Sequence, residues 1–242
     1  MKSKQGELQE NEYKKPYHYL LDEDSGYGIE YHSYIKVVEG LIPKNTKKIL
    51  DFGCGEGFFC NKIANKFPEV VGIDLSKAAI KMAKGKSSEA KFYCSSLDSD
   101  EFKNVQFDVI TMIEVLEHID FDLIPSIVAG LSKKIKPSGR LIITVPSIKL
   151  PLQDKHFQHF SASSLERTLD SQFNLVSIDG HYKKPGLGYK IIKNFLENPF
   201  YKLRINFLNS YLKRYFIKNL ESCNTTEGLR LIATFKPKND SS

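Results

Sequence analysis

The chain lacks several features that mark secreted or membrane-spanning proteins. Its four cysteines form no C-x-x-C pair, and the first residues, MKSKQGELQENEYKK, are too polar for a secretory leader. We therefore expect a protein of the reducing cytoplasm. No apolar run approaches the roughly 20 residues that span a bilayer. Internal repeats and low-complexity stretches are also absent, so the 242 residues suit one large α/β domain with small additions.

Positive charge is distributed unevenly along the chain. The formal net charge is +6, yet residues 183–218 contain nine lysines or arginines against a single acidic residue, Glu197. The remainder is therefore slightly acidic. Within this segment the run NPFYKLRINFLNSYLKRYFIKNL has aromatic and apolar residues at every third or fourth position, which predicts one basic amphipathic helix. Its apolar face would comprise Phe200, Leu203, Phe207, Tyr211 and Tyr215.

The most informative segment is KILDFGCGEGFF at residues 48–59. An apolar strand containing Asp51 leads into a loop with Gly53, Gly55 and Gly57. Because glycines carry no Cβ, such a loop lets the backbone approach a ligand closely at the start of a helix. Seventeen residues beyond Gly57, the strand VVGID ends in Asp74, placed to accept hydrogen bonds from ribose hydroxyls. The pattern predicts a nucleoside site.

The spacing of the glycines separates two kinds of nucleoside site. A dinucleotide fingerprint, G-x-G-x-x-G, requires glycine at position 58, where this chain has Phe58. With Asp51 before the loop, the pattern instead resembles the first motif of class I S-adenosylmethionine (SAM) dependent methyltransferases. The segments FDVITMIEVLEHI from residue 107 and LSKKIKPSGRLIITVPS from residue 131 follow in that family's order. The resemblance covers about residues 46–182, and the strand EGLRLIATFKPK extends it towards the C-terminus.

The alternation of strand and helix patterns predicts a mostly parallel sheet. Strands are expected at 48–52, 70–74, 90–94, 107–113 and 140–145, with a turn at Pro137, Ser138 and Gly139 before the last of these. Helices are expected at 57–66, 76–85 and 121–134. The resemblance implies an α/β fold: a Rossmann-like, doubly wound sheet of seven strands with helices on both faces. Its last strand would be antiparallel and inserted beside the sixth.

Four parts of the chain are expected. A cap segment and helix occupy residues 1–45, and the SAM-binding core occupies residues 46–182. The basic helical insertion spans residues 183–222, and the final core strand and tail span residues 223–242. The insertion would serve as a substrate lid, as an interfacial membrane helix or as an RNA-binding surface. Near the N-terminus, Tyr17, His18 or Tyr27 would either touch the substrate or belong to a packed cap.

The resemblance implies that SAM binds at the carboxyl ends of the strands. Asp74 would hold the ribose, and Leu75 would pack beside the adenine. Ser96 stands where the family usually has an acid for the adenine amino group, so the adenine end departs from the family pattern. Asp98 would be the substitute for that acid. The predicted SAM-binding residues are Asp51, Gly53, Cys54, Gly55, Asp74, Leu75, Ser96 and Leu97.

A group of acids and histidines follows the fourth and fifth strands. Glu114, Glu117 and His118 form an E-x-x-E-H stretch, whose spacing puts all three on one face of a helical turn. His156 and His159 follow in KHFQHFS. The stretch resembles one in ubiquinone-biosynthesis O-methyltransferases and, more weakly, the metal-holding stretch of small-RNA 2′-O-methyltransferases.

Three roles for this group stay open. Glu114, Glu117, His118 and His156 would bind a divalent metal, with oxygen ligands suiting Mg or Mn and histidines permitting Zn or Fe. Without a metal, the catalytic residues would be His118, His156 and Glu114, with a histidine as general base for an acceptor hydroxyl. The third role is structural.

The resemblance implies a SAM-dependent methyltransferase acting on a hydroxyl of a small-molecule, glycan or lipid-linked acceptor. One alternative is an RNA ribose 2′-O-methyltransferase, and another is a SAM-binding regulatory subunit without turnover. The expected location is the cytoplasm, with peripheral membrane contact through the basic insertion as an open alternative and RNA as a less favoured partner.

Overall fold

The computed structural model describes residues 16–86, 89–198 and 200–238. Short 3₁₀ turns at His18–Leu20, Asp100–Phe102, Leu116–His118 and Phe121–Leu123 accompany the main elements. The α-helices are α1 (Gly26–Leu41), α2 (Phe58–Ile63), α3 (Lys77–Lys86), α4 (Ile124–Lys134), α5 (Ala162–Leu169), α6 (Leu187–Leu196) and α7 (Asn206–Asn219). The strands are β1 (Lys48–Phe52), β2 (Glu69–Asp74), β3 (Lys91–Cys94), β4 (Phe107–Ile113), β5 (Ile135–Pro146), β6 (Phe173–Lys183), β7 (Glu197–Asn198), β8 (Tyr201–Lys202), β9 (Ser222–Cys223) and β10 (Gly228–Pro237).

One large sheet has the strand order β3-β2-β1-β4-β5-β10-β6-β9. Strands β1 to β5 pair in parallel, whereas β10 runs antiparallel between β5 and β6. The predicted α/β sheet with an antiparallel last strand is confirmed. The described residues form eight strands in this sheet, so the predicted number of seven is wrong. The additional strand, β9, has only two residues, too few for a periodic sequence pattern.

Helices cover both faces of this sheet, as predicted. The side chains of neighbouring strand residues point to opposite faces, so Leu50 and Ile49 of β1 join different hydrophobic clusters. The Leu50 cluster includes Val128 of α4 and Leu165 of α5. The Ile49 cluster includes apolar residues of α1, α2 and α3, such as Ile35. The doubly wound layering therefore follows from alternating burial along the strands.

The start of β5 differs from the sequence-based expectation. Pro137, Ser138 and Gly139 do not precede the strand but lie within it, since β5 begins at Ile135. Phe107 pairs with Ile135 and Val109 pairs with Arg140, so the register shifts across these residues. Proline and glycine are tolerated in a strand at such an irregularity, which explains why the turn prediction was wrong.

The basic insertion is not a single helix. It consists of α6, the short β7–β8 hairpin and α7, which begins only at Asn206. The predicted apolar face crosses from the hairpin into α7, and Phe200, Phe207 and Tyr211 are exposed. Other side chains pack inward, on Ile29 of α1. They are Tyr189, Leu196, Leu212, Phe216 and Leu220.

No helix within the described residues is both long enough and apolar enough to cross a membrane.

Candidate functional site

The glycine loop adopts a backbone conformation that L side chains rarely adopt. Gly53, Gly55 and Gly57 have φ values of 76°, 52° and 78°, in the left-handed region. At Gly53 an added Cβ would lie 2.5 Å from a methyl group of Val115. The Gly53 and Cys54 amides both donate to the Ile73 carbonyl, at 2.8 and 2.9 Å, which fixes the loop against the end of β2. The loop therefore needs glycine for its conformation and for its packing.

Asp74 joins the glycine loop to the end of β2. Its carboxylate oxygens accept hydrogen bonds from the Gly55 amide at 2.9 Å and from the Ser76 amide at 2.8 Å. Leu75 follows with 77% of its surface exposed, which is unusual for a leucine at the edge of a core. Charge-assisted bonds to two loops orient this carboxylate, and the exposed leucine beside it offers an apolar surface to a ligand.

Asp51 lies beneath the loop and is 2% exposed. Its carboxylate accepts hydrogen bonds from the Thr111 hydroxyl at 2.7 Å and from the Cys60 thiol at 3.5 Å. Burial raises the pKa of Asp51 to about 6. The hydrogen bonds of the Asp51 carboxylate are thus with buried side chains of the protein. Cys54 and Leu97 are buried as well, whereas Ser96 is exposed at the end of β3.

Three members of the predicted acid and histidine group come together. Each of three side chains contributes one ligand atom to a cluster in which these atoms lie within 4.8 Å of one another, an arrangement able to hold a metal ion. The three residues are Glu117, His118 and His156. The rings of His118 and His156 meet edge to face, with centroids 4.6 Å apart. The Phe157 amide donates to the Glu117 carbonyl at 2.8 Å, which ties the loop after β5 to the turn after β4.

The side chains of this group differ in how many of their polar atoms have a hydrogen-bond partner. Glu117 is 1% exposed, and neither carboxylate oxygen has a hydrogen-bond partner among the described residues. Burial, followed by the nearby Glu114, raises the pKa of Glu117 well above its usual value. Nδ1 of His156 lies 2.8 Å from Nε2 of His159. Burial, followed by the neighbouring His118, lowers the pKa of His156 to about 3. A buried carboxylate without a donor beside imidazole nitrogens is a set suited to a cation.

Glu114 lies near this three-residue group but outside the 3₁₀ turn that carries Glu117 and His118, so these two and Glu114 do not share one helical face. It has a positive φ of 55° at the end of β4. Its carboxylate accepts a hydrogen bond from the Thr144 hydroxyl at 2.9 Å and forms a 2.8 Å ion pair with Arg230 of β10. The Arg230 guanidinium also lies over the Tyr34 ring, 4.1 Å from its centroid. Although burial opposes ionisation, Arg230 keeps the pKa of Glu114 below its usual value. Arg230 could not be identified from the sequence, because a lone arginine in a strand carries no motif.

The N-terminal segment contacts the glycine loop directly. The His18 amide donates to the Glu56 carboxylate at 2.5 Å, and Nδ1 of His18 lies 3.1 Å from the same oxygen. His18 also stacks on Tyr31 of α1, with ring centroids 4.8 Å apart. Of the aromatic residues proposed to touch substrate, Tyr17 and Tyr27 are exposed. The segment thus lies beside the loop that the sequence assigned to ligand binding.

Several cations of the insertion pair with acids near the N-terminus. Arg204 bonds to Asp22 at 3.1 Å, and Lys213 bonds to Asp24 at 2.7 Å. In a further pair, Nζ of Lys193 lies 2.5 Å from the Glu30 carboxylate, with both side chains largely buried. The acidic stretch 22–30 therefore neutralises part of the charge that appeared free in the sequence.

Known proteins resemble this chain in sequence over its central part. Residues 27–178 match the family model described as a methyltransferase domain. The ubiquinone biosynthesis O-methyltransferase of Idiomarina loihiensis is 30% identical in an alignment that covers 47% of this chain and 50% of that protein. The Thiobacillus denitrificans protein of the same name is 35% identical over 43% of this chain and 47% of its own length. The chain thus spans about half the length of these curated relatives.

Solved structures resemble the chain over nearly its whole length. The N-methyltransferase NodS of Bradyrhizobium japonicum, in complex with S-adenosylhomocysteine (SAH), matches with a TM-score of 0.66 at 16% identity, over 98% of this chain and 100% of that one. A TehB-like SAM-dependent methyltransferase of Corynebacterium glutamicum matches with a TM-score of 0.60 at 17% identity, over 96% and 100%. At these identities the likeness establishes the fold.

Proposed function

This chain belongs to the methyltransferase-domain family, and from that premise we propose that it transfers a methyl group from SAM to a hydroxyl of a small-molecule acceptor. The observation that carries the proposal is the glycine loop. Its three left-handed glycines leave bare backbone beside Asp74 at the carboxyl edge of the parallel strands, where ligands of open α/β sheets bind. The O-methyltransferase relatives support a hydroxyl acceptor.

The residues at this edge fit SAM. Gly53 and Gly55 present backbone without a Cβ, and the Asp74 carboxylate, which the Gly55 and Ser76 amides orient, would accept a hydrogen bond from a ribose hydroxyl. Leu75 would pack against the adenine through its exposed side chain. Asp51 would support the glycine loop indirectly, because its carboxylate accepts hydrogen bonds from Thr111 and Cys60 beneath the loop. The other residues that we propose to line the SAM site are Cys54, Ser96 and Leu97.

The chemical step requires mainly alignment by the protein. When bound, SAM supplies a methyl group that its sulfonium already makes electrophilic. Arg230 and Thr144 hold the Glu114 carboxylate in one position at the end of β4, where it would border the acceptor site. Without a bound cation, Nε2 of His118 would accept the proton of the acceptor hydroxyl, because Nδ1 of His118 donates to the Lys155 carbonyl and the pKa of about 3 makes His156 a weak base. Orientation and exclusion of water by these side chains would supply most of the acceleration.

We also propose that Glu117, His118 and His156 bind a divalent cation. The support is the buried Glu117 carboxylate, which has no hydrogen-bond partner within the described residues. A bound cation would lower the pKa of an acceptor hydroxyl. Glu114 is engaged by Arg230 and is not among the three ligands.

The metal proposal is tested by thermal unfolding of chelator-treated protein titrated with Mn²⁺, Mg²⁺ or Zn²⁺. We expect one of these ions to raise Tm in a saturable way, because an ion that binds only the folded state stabilises it. Glu117→Gln, of equal size, should lose the effect, and Glu166→Gln on the exposed surface of α5 should keep it. Equal shifts in both variants, or none in the wild type, would contradict the metal site and leave His118 as a base without a metal.

The acceptor itself is tested with labelled SAM. Incubating the protein with methyl-labelled SAM and fractionated cell extract should place the label in a small-molecule or lipid fraction. Label in RNA would support ribose methylation instead. If SAH binds but no fraction is labelled, the chain is a SAM-binding subunit without turnover. A lipid-linked acceptor would also require contact with a membrane.

A further inference from the structure

Helix α6 carries apolar side chains on both of its faces. On the inner face, Tyr189 and Leu196 are buried in the cluster that includes Ile29. On the outer face, Leu187, Ile191 and Phe195 are 75%, 60% and 50% exposed. Their four-residue spacing aligns them in one stripe along the helix. Contiguous exposed apolar side chains commonly mark an interaction surface, so we expect a partner to cover the stripe.

Unpaired positive charge flanks this stripe. Lys184 and Lys190 are exposed, and neither has an ion-pair partner among the described residues. Other cations of the insertion, such as Lys193 and Lys202, are paired with acids. Residues 184–196 contain no acidic side chain. The outer face of α6 therefore combines apolar side chains with uncompensated cations, the composition of helices that lie on anionic membranes.

The topology places this helix at the functional edge of the sheet. Both β5 and β6 pair antiparallel with β10, so β5 and β6 run in the same direction. The carboxyl end of β6 thus lies at the edge that also holds the glycine loop and Glu114. Helix α6 begins four residues after β6 ends. A surface that bound α6 would be close to the entrance of the proposed site.

We infer that the outer face of α6 docks on an anionic lipid bilayer, with Leu187, Ile191 and Phe195 in the interfacial layer and Lys184 and Lys190 at the head groups. A second copy of the chain is a poorer occupant, because a symmetric contact would bring the same unpaired lysines together. Only the functional consequence, delivery of an acceptor from the membrane, rests on the proposed methyl transfer. The docking itself does not depend on activity.

The test is flotation with vesicles of phosphatidylcholine alone or mixed with phosphatidylglycerol. We expect the full chain to float with the mixed vesicles and at least about tenfold less with neutral ones, because anionic lipid attracts each flanking lysine. Ile191→Ser combined with Phe195→Ser should reduce partition by about tenfold or more. Lys184→Glu with Lys190→Glu should do the same. Val176→Ser and Lys81→Glu, at exposed positions away from α6, should bind as the wild type does.

Three results would overturn the inference. These are failure of the wild type to float with either vesicle, unchanged flotation of both α6 variants, or a concentration-dependent dimer that Ile191→Ser with Phe195→Ser abolishes. Calorimetry with SAH on the same samples measures cofactor binding, so failure of the lipid docking can be distinguished from failure of the proposed function. An α6 variant that binds SAH normally but not vesicles supports docking, whereas wild type that floats but binds no SAH contradicts only the methyl-transfer proposal.

Discussion

Arg230 and Glu114 form a largely buried ion pair between the last strand and the end of β4. The guanidinium is further held over the Tyr34 ring, and the Thr144 hydroxyl occupies the other Glu114 oxygen. A charge in such a place is tolerated only while its partner is present. The pair therefore fixes a negative side chain beside the proposed acceptor position.

Substituting Arg230→Met should leave the Glu114 carboxylate buried and unpaired. We expect the free energy of unfolding to fall by about 3–5 kcal/mol, measured by urea denaturation. The double variant Arg230→Met, Glu114→Leu should recover much of this loss, because it removes the uncompensated charge. Equal losses in the single and double variants would show that packing of the arginine, rather than the ion pair, is what matters.

His181 is a second buried residue whose ionisation affects stability. It is 3% exposed, and Nε2 lies 3.3 Å from the Ser33 hydroxyl. Burial, followed by the nearby Arg230 charge, lowers the pKa of His181 from 6.5 to about 4. Between these values the unfolded chain binds a proton that the folded chain does not. Protons therefore favour unfolding, and stability from this group is lost as the pH falls from 6.5 to 4.

The variant His181→Gln should lack this dependence. Relative to the variant, the wild type should lose up to about 3 kcal/mol of unfolding free energy between pH 6.5 and 4. Denaturant titrations of both proteins at several pH values measure the difference. Parallel curves for the two proteins over this range would contradict the assigned ionisation.

At the scale of elements, the glycine loop owes its shape to both conformation and space. Gly53→Ala would require a left-handed alanine whose Cβ meets Val115, so we expect loss of stability and at least about tenfold weaker SAH binding. Gly40→Ala is the matched control. Gly40 lies in α1 with open space around its Cβ position, so alanine there should stabilise the protein by about 0.5–1 kcal/mol. Calorimetry with SAH measures the affinity of both variants, and thermal unfolding measures their stability.

Elements with strong local patterns were predictable, and those defined by distant contacts were not. β1 and β4 have the predicted bounds, 48–52 and 107–113, because continuous apolar runs identify buried strands. The eighth strand depends on a two-residue pairing with β6, which leaves no local signal. Periodicity predicted a helix where α7 lies, but the side chains that α7 buries depend on its packing against α1. Within the site, the positions of the two stretches after neighbouring strands indicated that Glu117 and His118 would lie near His156. The engagement of Glu114 by Arg230 depends on strand order and was not predicted.

At the scale of the whole molecule, charge is balanced between segments distant in sequence. The chain has a net charge of +6, but cations of the insertion pair with acids at 22–30, and apolar residues of α6 and α7 pack on α1. The insertion and the N-terminal segment thus form one cap next to the glycine loop. The exposed apolar side chains of α6 beside Lys184 and Lys190 are the basis for the proposed docking of this cap on lipid.

The most direct test of the account is calorimetric titration of the protein with SAH. We predict saturable binding at one site per chain. Asp74→Ala should weaken it by at least about tenfold, because the loss of a charged acceptor removes bonds of about 1.5–3 kcal/mol. The absence of binding heat at every SAH concentration, in protein whose circular dichroism shows it folded, would contradict the proposed SAM site.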